Sequence, residues 1–512
     1  MTTFRYLSLV PFLIIAACGD NAAPPGGGSS SGGSSSSSSG NVPQDGGADV
    51  IPAASISLAI ADATVIQGSA VELTLELTRG ASVTGDVGVK FATLPLGLGL
   101  PVGDLVFKAG QSTLKVQLSA GIDGKQGDAK LSATATTLDG ATSSKKDFTV
   151  LVRGAPGTLD KTFGVDGILT LPGAGLLIQM AVRPDGSAFV GGKGVSEFQT
   201  VIRIASNGTV DLAFGNQGAA QGEPVENSLG NRLFARGDGS TVISGYAPNG
   251  TAVRARRFSS TGSVDSTFIA TDDGGDVVKA TSAAETAQFL YLGRSVGAAT
   301  TIVSRFSLSG VADAAYHRIT VPTLMEAMTT GTDGLVAMCG ETNNVIDLVR
   351  LDAAGAVGAT AHPFAPSTYR RCTGIMPRKG GGVVAAIQTA DNPSFTSPTV
   401  GLVATDAAFQ AVGAGFGTNG YVYSDPGAIF SLAEDDTGRI LVDIGPSGGT
   451  PTGVLRYSAA GILDTSFGQS GRCAPPADHV FLAAAVLPNG RILASGAKVS
   501  AGLAPRLFRI WN

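Results

Sequence analysis

Seven aromatic residues recur at almost even steps through the C-terminal two-thirds of this chain. Phe163, Phe214, Phe268, Tyr316, Phe364, Phe416 and Phe467 are separated by 51, 54, 48, 48, 52 and 51 residues. Each belongs to a composite motif, clearest in Leu159-Asp160-Lys161-Thr162-Phe163-Gly164-Val165-Asp166-Gly167 and in Leu463-Asp464-Thr465-Ser466-Phe467-Gly468-Gln469-Ser470-Gly471. A fixed period of this size is the mark of a repeat architecture in which no unit buries its apolar faces without its neighbours.

Two further landmarks return in step. The first is a strand, a tight turn and a strand, best seen in Met180 to Gly192 around Asp185-Gly186 and repeated at Asp238-Gly239, Asp333-Gly334, Gly380 to Gly382, Thr437-Gly438 and Asn489-Gly490. Asp-Gly and Asn-Gly accept the positive φ that two-residue hairpins need. Glu285-Thr286 is the poorest match. The second is a strand ending in Arg and an apolar residue: Arg203-Ile204, Arg257-Phe258, Arg305-Phe306, Arg350-Leu351, Arg456-Tyr457 and Arg509-Ile510, with Leu402-Val403 as the copy without Arg.

One unit therefore holds about four short strands in some 50 residues, the size of an antiparallel propeller blade. The composition agrees, since 72 Gly, 25 Pro and only 15% charged residues favour short strands joined by turns over surface helices. The array opens on the Leu159-Asp160 element and closes on the Arg509-Ile510-Trp511 strand, so joining the ends completes one unit. The expectation is an all-β fold: a seven-bladed β-propeller of four-stranded antiparallel blades over residues 154–512, with an open solenoid as its rival.

The Leu-Asp-x-x-Phe-Gly-x-x-Gly, Pro-Asp-Gly…Val-Gly-Gly and Arg-apolar signatures together resemble the delta-60 repeat of bacterial surface and secreted proteins. The likeness runs from about Gly157 to Asn512, with the third to fifth copies eroded. Such a resemblance implies a propeller-like array and export, and it brings no shared activity.

Residues 1–18 read as a signal peptide, with Arg5 before an apolar stretch from Tyr6 to Ala17. Ile15-Ala16-Ala17-Cys18 resembles the bacterial lipobox, which implies an acyl (palmitate-bearing) anchor on Cys18 and a place in the cell envelope. Gly19 follows Cys18 where inner-membrane retention resembles an Asp, so the outer membrane is favoured. Residues 19–50 are nearly pure Gly, Ser, Pro and Ala, a disordered tether holding the first domain about 30 Å from the lipid.

Residues 51–153 change character. Val71, Leu73, Leu75 and Leu77 alternate with Glu72, Thr74, Glu76 and Thr78, and similar runs recur at Ser112 to Leu118, Ala129 to Ala135 and Asp147 to Val152. This pattern resembles immunoglobulin-like β-sandwich modules, without their Cys…Trp…Cys core. A spacer role is the preferred reading.

The repeated aromatics could stack sugars, yet one large apolar residue per unit is more simply inter-sheet core. The repeated Arg could face acidic glycans, yet its pairing with Asp160, Asp211, Asp265, Asp313 and Asp464 suggests ion pairs at the turns. Gly293-Arg294-Ser295-Val296-Gly297 and Gly445-Pro446-Ser447-Gly448-Gly449 match a nucleophile-elbow pattern but lack the strand-to-helix setting. His317, His362 and His479 show no metal-ligand spacing, and the acidic runs at Asp272 to Asp276 and Glu434 to Asp436 fit no calcium-loop template. No catalytic residue, metal or cofactor is assigned. With Cys18 lipidated, Cys339, Cys372 and Cys473 remain, and the placement of Cys339 and Cys372 on neighbouring units makes them a possible disulfide.

Net charge of -5 without a basic stripe excludes a nucleic-acid partner. Two functions stay open. The first is a monomeric, lipid-anchored, non-catalytic binding or scaffolding protein for protein or glycan ligands. The second is a glycan lyase or hydrolase with paired carboxylates in the central funnel.

Overall fold

The computed structural model describes residues 54–512 except 123, 174, 195–197, 225–231, 247–251, 273–280, 297–299, 317–318, 364–368, 391–398 and 446–451. Cys18 and the tether, together with Phe364, His317, Asp273 to Asp276 and the second elbow-like loop after Gly445, lie outside the described residues. The described chain is all-β, with no helix among those residues. It divides into two compact units, one ending at Val152 and one running from Arg153 to Asn512.

The first unit holds a four-stranded and a five-stranded sheet. In the strand Ala70–Arg79, Leu73, Leu75 and Leu77 are buried while Glu72, Thr74 and Glu76 are exposed. Strand geometry sends alternate side chains to opposite faces, so this sequence buries one face only. Those leucines join Val87, Val89, Phe107, Leu131, Phe148 and Val150 in one apolar cluster shared by both sheets.

The second unit consists, among the described residues, of seven four-stranded antiparallel sheets. Their first strands are Gly175–Val182, Arg232–Ala235, Thr281–Glu285, Leu324–Thr330, Tyr369–Pro377, Ala428–Glu434 and His479–Val486, which number the sheets one to seven. Each first strand packs against the first strand of the next sheet, and the seventh packs against the first. The arrangement is propeller-like, with these seven strands innermost.

Sequential strands pair in six sheets; the seventh is built from both ends of the unit. Its outer strand is Ile168–Thr170, antiparallel to Ala504–Ile510 with Ile168 opposite Phe508. The repeat motif explains the join, because the Leu159-Asp160…Phe163 element needs an exit strand and Arg509-Ile510 needs such an element.

Phe163, Phe214, Phe268, Phe416 and Phe467 are buried to 2% exposure or less. Each sits under a turn of the following sheet: a Cβ placed on Gly208 would lie 2.9 Å from Phe163, and that glycine has φ of 86°. The turn therefore requires glycine twice over, for backbone angle and for close approach.

The fifth sheet departs from the expected repeat. In the first, second, third, sixth and seventh sheets the Asp amide donates to the exit Arg carbonyl, as from Asp211 to Arg203 and from Asp464 to Arg456; here Val412 donates to Ala404. The equivalent of the Arg-apolar pair is thus Ala404-Thr405, two residues beyond the expected Leu402-Val403. The glycine of the covering turn is replaced by Phe409, at φ of 62°, whose ring is buried and lies 5.1 Å beneath the Arg350 guanidinium. In the second, third, sixth and seventh sheets the exit Arg stacks on the repeated aromatic of its own unit, as Arg509 does on Phe163 and Arg456 on Phe467. At the boundary of the fourth and fifth sheets the next unit supplies the ring.

Candidate functional site

The repeated arginines are committed to the fold. Arg203, Arg257, Arg305, Arg456 and Arg509 pair with Asp211, Asp265, Asp313, Asp464 and Asp160. Free guanidinium nitrogens reach turn carbonyls of the next sheet, Arg203 to Ser260 and Arg305 to Ala354. Ser466 and Arg456 hold the Asp464 carboxyl below the usual range by hydrogen bonding to its charged form. A shallow cleft of about 170 Å³ between the seventh and first sheets is floored by Phe163 and Arg509, both engaged in this way.

The inner strands have a different character. Five of them carry a bulge at the same height, marked by Ile178, Glu326, Thr373, Phe430 and Leu482. A bulge re-aims the extra residue and breaks the ladder locally. On the sixth, seventh and first sheets these residues are apolar: Ile178 and Leu482 are buried together, with Leu176, Val480 and Phe430 packed against them. On the fourth and fifth sheets they are polar, and Glu326 Oε2 lies 3.9 Å from Arg371 Nε.

The most organised polar cluster lies where the third and fourth sheets meet. Ser295 Oγ is fully buried, within 3.1 Å of Thr301 Oγ1, and donates to the Met325 carbonyl at 3.0 Å. Thr301 Oγ1 donates to the Thr323 carbonyl and accepts from the Met325 amide. Thr323 and Thr342 hydroxyls both donate to Asp347 Oδ2, at 3.1 and 2.8 Å. Asp347 Oδ1 is 2.7 Å from His362 Nδ1, whose side chain is 60% exposed. A carboxylate that already accepts two hydroxyls acts as acceptor toward Nδ1–H, which fixes the orientation of the ring.

This cluster is not a hydrolytic triad. Ser295, within the elbow-like Gly293 to Gly297 segment, stands in the strand Phe289–Val296 with its hydroxyl spent on backbone, and His362 is held by Asp347 at the other end of the network. The described members of the acidic runs are likewise committed: Asp272 pairs with Arg294 and Ser304, Glu434 lies 3.8 Å from Arg378, and Asp435 accepts from Thr437, Arg439 and Asn512. Burial raises the Asp435 pKa, but the hydrogen bonds from Asn512, Thr437 and Arg439 prevail and bring it to about 2. No group of three or more metal-capable side chains occurs among the described residues.

The structure brings Cys339 and Cys372 together as a disulfide between the fourth and fifth sheets, with Cα atoms 5.9 Å apart. Cys473 is free and buried, and desolvation pushes its thiol up to about 12. Asp347 and the threonines around it are not distinguishable in the sequence, because they come from the strands Val336–Thr342 and Val345–Leu351 and from the bend at Thr323, at positions the repeat does not mark.

No family model matches the chain, and no curated protein matches it. Among solved structures it is similar to a quinonprotein alcohol dehydrogenase-like protein from Bacteroides thetaiotaomicron, at 11% identity over 81% of this chain and 94% of that chain, with a TM-score of 0.35. It is also similar to prolyl oligopeptidase B from Galerina marginata, at 11% identity over 81% and 56%, TM-score 0.37, and to polysaccharide lyase Uly1, at 10% over 67% and 90%, TM-score 0.32. At these scores none of them assigns an activity or a ligand to this chain.

Proposed function

We propose that the chain is a lipid-anchored extracytoplasmic binding protein, non-catalytic, in which a seven-bladed β-propeller presents a platform for protein or glycan ligands. In this reading an immunoglobulin-like sandwich serves as spacer, and Cys18 carries the lipid at the cell envelope, on the outer membrane. The supporting observation is the apolar set Ile178, Phe430 and Leu482 on three consecutive inner strands, which occupies the place where a glycan lyase or hydrolase needs facing carboxylates. The exposed His362, fixed by Asp347, is the best-prepared polar contact on the described surface.

The test joins location to binding. Palmitate labelling and membrane fractionation of the wild type and Cys18→Ser should show label and membrane attachment only in the former. A glycan array and a cross-linking pull-down on the full chain should return a saturable partner, weakened in His362→Ala. Turnover of a polysaccharide by the purified chain would instead establish the enzymatic alternative.

A further inference from the structure

The fourth rung back from the inner hairpin of each ring sheet is occupied by Gln179, Ser282, Ala327, Gly374, Ser431 and Ala483 in six sheets, and by Arg232 in the second. Six are neutral and mostly small. The side chain at this rung points toward the inner strand of the following sheet. In the sixth sheet Ser431 Oγ accepts from the Ala484 amide of the seventh at 2.7 Å, and a Cβ on Gly374 would face Leu432 of the sixth at 3.9 Å. Arg232 is therefore aimed into the gap between the second and third sheets.

The described carboxylates on that gap are already taken. Glu285 holds Arg236 through three hydrogen bonds, Asp272 holds Arg294 and Ser304, and Asp265 holds Arg257. The Arg232 backbone amide donates to Ser244 Oγ, but its guanidinium has no hydrogen bond or ion pair to a described residue. The side chain is half-buried, and burial lowers its pKa. A guanidinium cannot shed its proton at physiological pH, and a desolvated cation without a counter-charge is strongly unfavourable. Five donors in a planar fork fit a carboxylate, sulfate or phosphate group.

We propose that Arg232 forms the base of an oxyanion-binding site between the second and third ring sheets, taking the carboxylate, sulfate or phosphate of a small solute or of an acidic glycan. The glycan arm deepens the platform reading and rests on it; the small-anion arm does not.

The experiment uses the full chain. Thermal melting and calorimetric titration are run with sodium sulfate, sodium phosphate, oligogalacturonate and neutral maltohexaose, all against sodium chloride at equal ionic strength. At least one oxyanion should raise the melting temperature saturably, and Arg232→Gln should bind it at least tenfold more weakly while Arg232→Lys retains part of the response. Response to sulfate or phosphate identifies a small solute, and response to oligogalacturonate alone identifies an acidic glycan; both support the site. An equal response in Arg232→Gln, or none beyond chloride, overturns it. Arg232→Met should melt at or above the wild type in oxyanion-free buffer, because it removes an unopposed charge; a clear fall would reveal a partner for Arg232 within the chain and overturn the site as well. A protein found by pull-down with no anion response would end this inference and leave the platform intact.

Discussion

Asp160 and Arg509, 349 residues apart along the chain, are joined by a 2.8 Å hydrogen bond from Nε to Oδ2 that ties the first repeat element to the last strand. Asp160 is fully buried and also takes Arg491 Nε at 3.0 Å and the Thr162 hydroxyl at 2.6 Å. Its carboxylate thus serves two cations at the seam where the seventh sheet closes.

Replacing Asp160 by Ala leaves Arg509 and Arg491 facing each other without a counter-charge. Removing one member of a buried pair costs about 3 to 5 kcal/mol, far more than the loss of a partly exposed ion pair. Urea unfolding of Asp160→Ala should show a loss of that size, and Asp464→Ala a clearly smaller one. Equal losses would mean that the seam is no different from any other boundary.

The Cys339–Cys372 bridge closes a loop of 33 residues in sequence separation and staples the two sheets that lack the ordinary Arg-Asp pairing. A cross-link of this span contributes about 2 to 4 kcal/mol, chiefly by restricting the unfolded chain. The double variant Cys339→Ala/Cys372→Ala should unfold at lower urea by that amount. The wild type after unfolding in reductant should migrate more slowly on a gel than the non-reduced chain, and identical mobility would count against the bridge.

Phe409 yields a prediction whose sign is unusual. Its ring fills the site beneath Arg350, so Phe409→Ala should cost about 3 to 5 kcal/mol. At φ of 62° alanine keeps the left-handed strain that glycine lacks, worth roughly 1 kcal/mol. Phe409→Gly should therefore be the more stable of the two in parallel denaturation curves, the reverse of the ordinary order in a strand or helix. A less stable Gly variant would show that the turn relaxes once the ring is gone.

These elements mark how far the sequence could be read. The period is legible because every boundary but that of the fourth and fifth sheets places an aromatic under a glycine turn, so Phe163, Phe214 and Phe467 recur with their neighbours. The join of the two ends is legible for the same reason: half a motif stands at each end. At the fourth and fifth units Phe409 does from the next sheet what an aromatic of the same unit does elsewhere, and a search for the motif passes over it. Arg232, Asp347 and Thr323 are invisible to the period, because their significance comes from strands that meet only in the folded ring. His362 is visible as one of three histidines, but its orientation depends on Asp347, which no spacing announces.

Asp443 stands at the rung that Cys339 occupies in the fourth sheet, fully buried on the strand Ile440–Gly445, and neither oxygen has a hydrogen-bond partner among the described residues. Burial drives its pKa well above the usual carboxylate range, and the buried Cys473 is the titratable group whose own pKa it raises further, after desolvation. In the unfolded chain the group ionises near pH 4. Its contribution is then fully present below about pH 4 and is lost as pH rises toward the folded-state value, at up to about 1.4 kcal/mol per pH unit. Stability of the wild type should fall across the acid-to-neutral range relative to Asp443→Asn, which cannot ionise, and the two curves should converge at the acid end. Urea midpoints measured from pH 4 to pH 8 decide it: a difference between the two proteins that does not change with pH would mean that Asp443 is ionised, and therefore partnered, in the folded ring.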